Sequence, residues 1–368
     1  MTTIFNAVIP DGNGFISHAS VAVDSGRVVS VGQEQCGELD LNGDYLLPGF
    51  VDVHIHAFMG HDTMGGEEHL RHMSRELRKA GVAAFLPTTM SASAEDTLTA
   101  LAGIDAVMKR PEPDGAVVLG AHMEAPFLAK EKCGAQMDDY FLAPTWENFC
   151  RVTGPYRSRV KMITLAPEPD GAPALIRCLA GSGITVSIGH TAATAEQAHA
   201  GFAAGATQAT HLFNAMMPLH HRFPGAAGAA LAEEKAAVQL ICDGIHLHPD
   251  ILAICARLKG DRAIMITDAM EAAGLPDGAY RLGGQDVFVK EGAARLASGV
   301  LAGSTLTMAT GLRNLVSFGI SPFQAVRMGT ANPATSIGES RYGFLRPGCA
   351  AVLNRFSPDW RLKEVLSL

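Results

Sequence analysis

Between Leu46 and Asp268 the chain alternates eight short β-rich runs with helical or loop segments, and this rhythm constrains the fold more than any other feature. The runs are LLPGFVDVHIH (46–56), AAFLPTTM (83–90), VVLGAHME (117–124), VKMITLAP (160–167), ITVSIGH (184–190), ATQATHLF (206–213), AVQLICDGIH (237–246) and RAIMITD (262–268). Helical patterns stand between them, as in EEHLRHMSRELRKAG (67–81) and TAEQAHAGFAAG (194–205). Parallel strands need long crossover connections, and eight β–α repeats point to an α/β fold of the (β/α)8, TIM-barrel type. Abundant Gly (39 residues) and few aromatics (6%) suit helices packed closely on strands.

The ends of the chain read differently. The first 45 residues form short strands, and Asp24-Ser25-Gly26 joins two alternating runs as a hairpin. The tail GFLRPGCAAVLNRFSPDWRLKEVLSL again has strand and turn character. Each piece is too short to fold by itself. The expectation is therefore a small β-sandwich domain built from residues 1–46 and 336–368, beside a catalytic barrel at 47–335. After Asp268 the sequence reads as a long connection, then helices at 304–318 and 322–331.

Composition excludes several classes of function. The net charge is −8 with no long Lys/Arg run, which argues against nucleic acid or an anionic membrane as partner. No apolar run reaches membrane-spanning length, and MTTIFNAVIPDGNG lacks the basic start and apolar core of a signal peptide. Seven Cys without a Cys-x-x-Cys pair suggest reduced thiols and a cytoplasmic protein.

Six of the eight runs end in, or lead to, a metal-ligand or acid–base side chain: His54-x-His56, Glu124, His190, His211, Asp243 with His246, and Asp268. Catalytic groups of a barrel sit at the C-terminal strand ends, so these side chains are expected to converge at one mouth. His54 and His56, two apart on a strand, share a face. Singly, each has an ordinary explanation: a hydrogen-bonded rim histidine, a paired structural carboxylate, a helix N-cap. Together those explanations need a separate coincidence for every strand. Imidazole and carboxylate ligands suit a divalent ion, Zn²⁺ first, with Fe²⁺, Mn²⁺ or Co²⁺ as alternatives. Cys242 has no second thiol placed beside it and reads as core. In HLFNAMMPLHHRFPG (211–225), His211 is the strand-end ligand and Asn214-Ala215 begin a loop over the site. Arg222 offers a fork for a phosphate or carboxylate, and His220 and His221 read as surface residues.

PGFVDVHIH resembles the first-strand signature of the amidohydrolase superfamily. FLPTT, HMEAPFL, ITLAPE, GHTAA, THLFNAM, HRFPG, DGIH, TDAM and LAGSTLTM then resemble, in order, the motifs of the N-acetylglucosamine-6-phosphate deacetylase family. The resemblance implies metal-dependent hydrolysis of the acetamide of an amino-sugar phosphate. It implies that Glu124, His190 and His211 hold one ion, that His54 and His56 with Glu124 bridging hold a second, and that Asp268 is the general base and acid. It further implies substrate contacts from Ala135, Gln136, Asn214, Ala215, Arg222, Asp243, His246 and Leu301-Ala302-Gly303, and a homodimer that shares its phosphate site. Three positions depart from the family pattern: Ala125 for Gly, Phe223 for Glu, and Gln136 for His near the substrate amide. These bear on which sugar is used, N-acetylgalactosamine 6-phosphate being the nearest alternative. A cyclic-amide hydrolase that relies on a carboxylated Lys at the end of strand four fits less well, because Lys161 stands at the start of that run. A non-catalytic metal-stabilised scaffold would be expected to have lost a ligand or the Asp.

Overall fold

The structure, a computed structural model, describes residues 1–12, 14–34 and 36–368. Eight parallel strands follow one another around a barrel: β1 (Phe50–Ile55), β2 (Val82–Thr89), β3 (Ala121–Glu124), β4 (Val160–Leu165), β5 (Thr185–Ile188), β6 (Gln208–Ala209), β7 (Ala237–Ile241) and β8 (Ala263–Ile266). Each pairs in parallel with the next. The seam between β8 and β1 closes at its top, where Asp268 N–H donates to His54 O at 2.9 Å and His56 N–H to Ala269 O at 3.0 Å. The Asp52 carboxylate fastens the seam below. It accepts from Thr267 Oγ1 at 2.5 Å and from the backbone N–H groups of His54 (3.3 Å) and Thr267 (3.4 Å).

Alternation along the strands sorts side chains between two cores. Val51, Val53, Ile55 and Met123 are buried with Leu70, Met73 and Leu77 of the helix Glu67–Lys79. That helix is amphipathic, with acidic residues in its first turn and basic ones in its last, matching its dipole. The helix Ala195–Ala204 begins at a capping box between Thr194 and Gln197. The barrel axis is unusually polar. Thr88, His122, Thr164, Ser187, Gln208, Thr210 and Gln239 are fully buried there, where branched aliphatics usually fill a barrel. They satisfy one another, as in His122 Nε2 with Thr164 Oγ1 at 2.8 Å and Thr164 Oγ1 with Thr210 Oγ1 at 2.7 Å.

Both termini enter a seven-stranded sheet running Leu362–Ser367, Val352–Phe356, Tyr45–Pro48, Thr2–Asp11, Gly14–Asp24, Arg27–Gly32, with Leu39–Asp40 beside Thr2–Asp11. Its two halves meet through the pair Val8–Tyr45. The hairpin read at Asp24-Ser25-Gly26 turns through Ser25 (φ 51°) and Gly26 (φ 73°), two positive dihedrals as a type I′ turn requires. Asp44 ties the sheet to the C-terminal strands, accepting from Arg355 Nε at 2.6 Å and Lys363 Nζ at 2.8 Å.

The long connection expected after Asp268 contains an antiparallel three-stranded sheet: Gly278–Leu282, Gln285–Lys290 and Ala293–Leu296. Its turns, Gly283-Gly284 and Glu291-Gly292, again have positive φ at both residues. The helices beyond it run Met308–Ser317 and Pro322–Gly329, and a short third helix spans Ala331–Ser336.

Candidate active site

The strand-end residues expected as ligands or acid–base groups leave their strands in an uncommon conformation. His190 (φ 47°), His211 (φ 27°) and Asp268 (φ 50°) all lie in the left-handed region. Continuing the extended conformation would have sent the chain straight out of the barrel; the left-handed residue turns it at the rim. Ala125 also has positive φ (83°), so the family's usual Gly stands where the backbone favours glycine.

Two groups of donor atoms result, His54 with His56 and Asp268, and Glu124 with His190 and His211, each with its ligand atoms within 4.8 Å of one another. All six residues are buried. Glu124 lies between the groups. Its Oε1 is 3.1 Å from His211 Nε2 and 3.2 Å from His190 Nε2, while its Oε2 is 3.1 Å from His56 Nε2. Asp268 Oδ1 is 3.2 Å from His56 Nε2 and 3.4 Å from His54 Nε2.

The donor set fits divalent metal ions. His56 Nδ1 faces Thr88 O at 3.2 Å, His190 Nδ1 faces Lys132 O at 2.9 Å, and His54 Nδ1 faces Gln239 Oε1 at 3.2 Å. Each partner oxygen accepts, so in the neutral ring Nδ1 carries the proton and the Nε2 lone pair turns inward. Opposed Nε2 atoms then lie 3.1 Å apart (His190 and His211) and 3.3 Å apart (His54 and His56). Neutral rings so placed would need positive charge between them, from bound ions or, failing those, from a proton such as the one His56 takes up; the buried His211 Nδ1 has no partner among the described residues. The carboxylates ask for the same. Burial would push the Asp268 carboxyl up, but the imidazoles of His54 and His56 outweigh it and hold it at about 2. Glu124 is likewise held well below the usual range: burial opposes ionisation, and the imidazoles of His54 and His190 overcome it. His56 is pushed up to about 10, burial opposing and the Asp268 and Glu124 carboxylates prevailing.

Five of the six, His56, Glu124, His190, His211 and Asp268, form the floor of a cavity of about 500 Å³, with His54 buried beneath them. Of the residues singled out in the sequence, Ala135, Gln136, Asn214, Ala215, His246, Leu301 and Gly303 line it with the ligands. Asp243 and Ala302 stand behind the wall. Asp243 Oδ2 holds His246 Nδ1 at 2.6 Å, and Ala302 is fully buried. Arg222 does not line the cavity; it is exposed on the 216–224 loop, beside His220, His221 and the highly exposed Phe223 (74%). Gln136 is engaged on both sides, Nε2 donating to Glu124 Oε2 at 2.8 Å and Oε1 accepting from Ser91 N–H at 2.6 Å.

Sequence reading passes over other contributors. Lys132 and Thr88 act through backbone carbonyls, which leave no side-chain signature. Leu282 and Val300 of the inserted sheet region cover one side of the cavity. Gln239 could have been found, because it is an amide inside an otherwise apolar run.

The model of the amidohydrolase family matches residues 45–365. The N-acetylglucosamine-6-phosphate deacetylase of Lysinibacillus sphaericus is 38% identical over 94% of this chain and 91% of its own length. The N-acetylgalactosamine-6-phosphate deacetylase of Escherichia coli O157:H7 is 34% identical over 91% and 89%. Among solved structures, an aspartate-to-alanine mutant of the Mycobacterium smegmatis N-acetyl-D-glucosamine-6-phosphate deacetylase, in complex with N-acetyl-D-glucosamine 6-phosphate, superposes with a TM-score of 0.93 at 32% identity, covering 99% of this chain and 97% of that one. With strand-end ligands, cavity and relatives in agreement over nearly its whole length, the chain belongs to the amidohydrolase family, in the group of N-acetylglucosamine-6-phosphate deacetylases.

Proposed function

We propose that this chain hydrolyses the acetamide of N-acetylglucosamine 6-phosphate to acetate and glucosamine 6-phosphate. The observation that carries the reading is the pair of ligand clusters meeting at Glu124 on the floor of a sugar-sized cavity. Glu124, His190 and His211 would hold one ion; His54 and His56, with Glu124 and Asp268 beside them, would hold a second. Zinc is the first choice of metal, with iron, manganese and cobalt behind it. A divalent cation, when bound, supplies Lewis-acid polarisation of the amide carbonyl and a hydrolytic water acidified to a pKa of about 7. The Asp268 carboxylate takes the proton from the attacking water and returns it to the amide nitrogen as the C–N bond breaks. One water is consumed, and acetate and a free amine leave. His246, fixed by Asp243, holds the sugar with Asn214, Ala215 and the Leu301-Ala302-Gly303 backbone. Ala135 and Gln136 flank the acetyl group.

A sugar phosphate also needs cationic partners. Arg222 projects from a loop whose Met217 (41%), Leu219 (50%) and Phe223 (74%) are exposed apolar side chains. We take this loop as a homodimer contact, through which Arg222 of the partner subunit reaches the phosphate. We assign residues 47–335 to the catalytic barrel, 1–46 and 336–368 to the small domain, and the enzyme to the cytoplasm. Among the described residues no helix is long and apolar enough to cross a membrane.

The second reading keeps the chemistry and changes the epimer to N-acetylgalactosamine 6-phosphate. It is favoured by Gln136, whose engaged amide differs in charge capacity from the family's usual His, and by the relative named for that substrate. Acetate release from N-acetylated sugars, with and without 6-phosphate, on protein of defined metal content decides between them. No acetate from any phosphorylated N-acetyl sugar would overturn both.

A further inference from the structure

The polar barrel axis contains a continuous chain of amides that starts at the far end of the barrel and finishes on a metal-facing histidine. The short helix Ala331–Ser336 ends in the carbonyl of Ser336. Gln208 Nε2, on β6, lies 3.3 Å from that carbonyl oxygen and 3.0 Å from Ser336 Oγ. Ser336 Oγ–H is directed to Pro333 O at 2.8 Å, so both Ser336 oxygens act as acceptors toward Gln208. Gln208 Oε1 then faces Gln239 Nε2 at 3.1 Å, and Gln239 Oε1 faces His54 Nδ1 at 3.2 Å. Gln208, Gln239 and His54 are each fully buried, so no water competes for these bonds.

The direction of the chain is fixed at one end. A backbone carbonyl can only accept, which places the NH2 of Gln208 at Ser336 and its oxygen toward Gln239. The NH2 of Gln239 must meet that oxygen, which leaves the Gln239 oxygen for His54. His54 must then carry its proton on Nδ1, with its Nε2 lone pair aimed between His56 and Asp268. Reversing any amide would oppose two donors or two acceptors in a dry core, at a cost comparable to an unsatisfied buried group, about 1–3 kcal/mol.

We infer that Gln239 and Gln208 are positioning residues, a relay by which a helix-end carbonyl at the bottom of the barrel sets the tautomer of His54 and so readies the His54, His56 and Asp268 group for its ion. The ion-binding consequence rests on the metal reading above; the tautomer does not. Gln208 does not line the cavity, and its side-chain hydrogen bonds go to Ser336 and Gln239, which makes it the sharper probe.

The test uses Gln208→Met and Gln239→Met, which keep length and remove hydrogen bonding, with Gln239→Glu, which keeps an acceptor at His54. Long-range ¹H–¹⁵N correlation of ¹⁵N-histidine-labelled, metal-free protein at alkaline pH reads the neutral tautomer directly. The expected result is Nδ1–H for His54 in wild type and Gln239→Glu, and a shift toward Nε2–H in both Met variants. Cobalt titration of metal-depleted protein should show the ion of the His54 group weakened 10- to 100-fold, the usual cost of losing an outer partner of a ligand, with the Glu124, His190 and His211 ion within two-fold of wild type. Should Gln239→Met not fold, Gln208→Met alone carries both readouts. An unchanged His54 tautomer in Gln208→Met overturns the relay. A wild type that binds no second ion, with the tautomer still shifted in the variants, would remove the two-ion reading and leave the relay standing.

Discussion

Asp52→Asn isolates the energetics of the barrel seam. Asp52 is fully buried and faces no Lys or Arg; its three bonds come from one hydroxyl and two backbone N–H groups. Burial therefore dominates, and it pushes the carboxyl up from 3.8 to about 6. The sign follows from proton linkage. Between these two values the folded chain holds a proton that the unfolded chain has released, so stability falls as pH rises. Below about pH 4 the group is neutral in both states and costs nothing. Above about pH 6 the full penalty is present. A shift of about two units is worth about 3 kcal/mol. Asn is neutral throughout, and its amide can accept from the two N–H groups while donating to Thr267 Oγ1. Urea unfolding of both proteins, metal-free, from pH 4 to pH 7.5 should thus show the Asp52→Asn variant gaining about 3 kcal/mol relative to wild type across the range, most of it between pH 4 and 6. Titrating groups that do not interact with Asp52 are common to both proteins and cancel in the difference. A difference that stays flat with pH would mean that Asp52 ionises at its ordinary value, and the argument from burial would fail.

Other outcomes follow from the site. Asp268→Asn should lower kcat by about 10²–10⁴, the usual range for acid–base catalysis, with metal content measured in parallel; normal turnover with metal in place removes the proposed role. The double change His54→Ala/His56→Ala should reduce bound metal from two ions to one per chain on titration of the metal-free protein, and retention of both ions makes the pair structural. Arg222→Ala should raise KM for a 6-phosphorylated substrate about 10- to 150-fold, the equivalent of a charge-assisted bond of about 1.5–3 kcal/mol. The unphosphorylated sugar should be hardly affected, and equal loss on both would reduce Arg222 to a loop support.

The barrel and its candidate ligands are legible because strand ends and side-chain chemistry are both written locally. His54-x-His56, Glu124, His190, His211 and Asp268 each close a β run, and the period of the fold brings such ends together. The inserted sheet after Asp268 is legible in principle, since Gly283-Gly284 and Glu291-Gly292 are hairpin turns between alternating runs, although the sequence reading takes it for a connection. What cannot be read are contacts made by backbone oxygen, such as Lys132 O on His190, and the position of Arg222 outside the cavity of its own chain. The first has no residue-type signature. The second depends on how a loop leaves the strand, which His211, Phe213 and Ala215 decide through positive φ values that their residue types do not advertise.

Those left-handed residues bear on how such an enzyme changes over generations. His190, His211 and Asp268 each hold a conformation that costs a side-chain-bearing residue roughly 1–2 kcal/mol. Glycine would adopt it freely, and asparagine with less strain. Ions bound at the mouth would offset that cost while the enzyme is loaded, and only then. A lineage released from selection for deacetylation, or starved of metal, therefore meets a gradient of backbone strain at these positions that glycine would relieve, set against the buried contacts the side chain gives up, such as His190 Nδ1 with Lys132 O. Activity here is held against that gradient by selection, and ligand positions turned to glycine on an intact barrel would be the mark of a relative that has let it go.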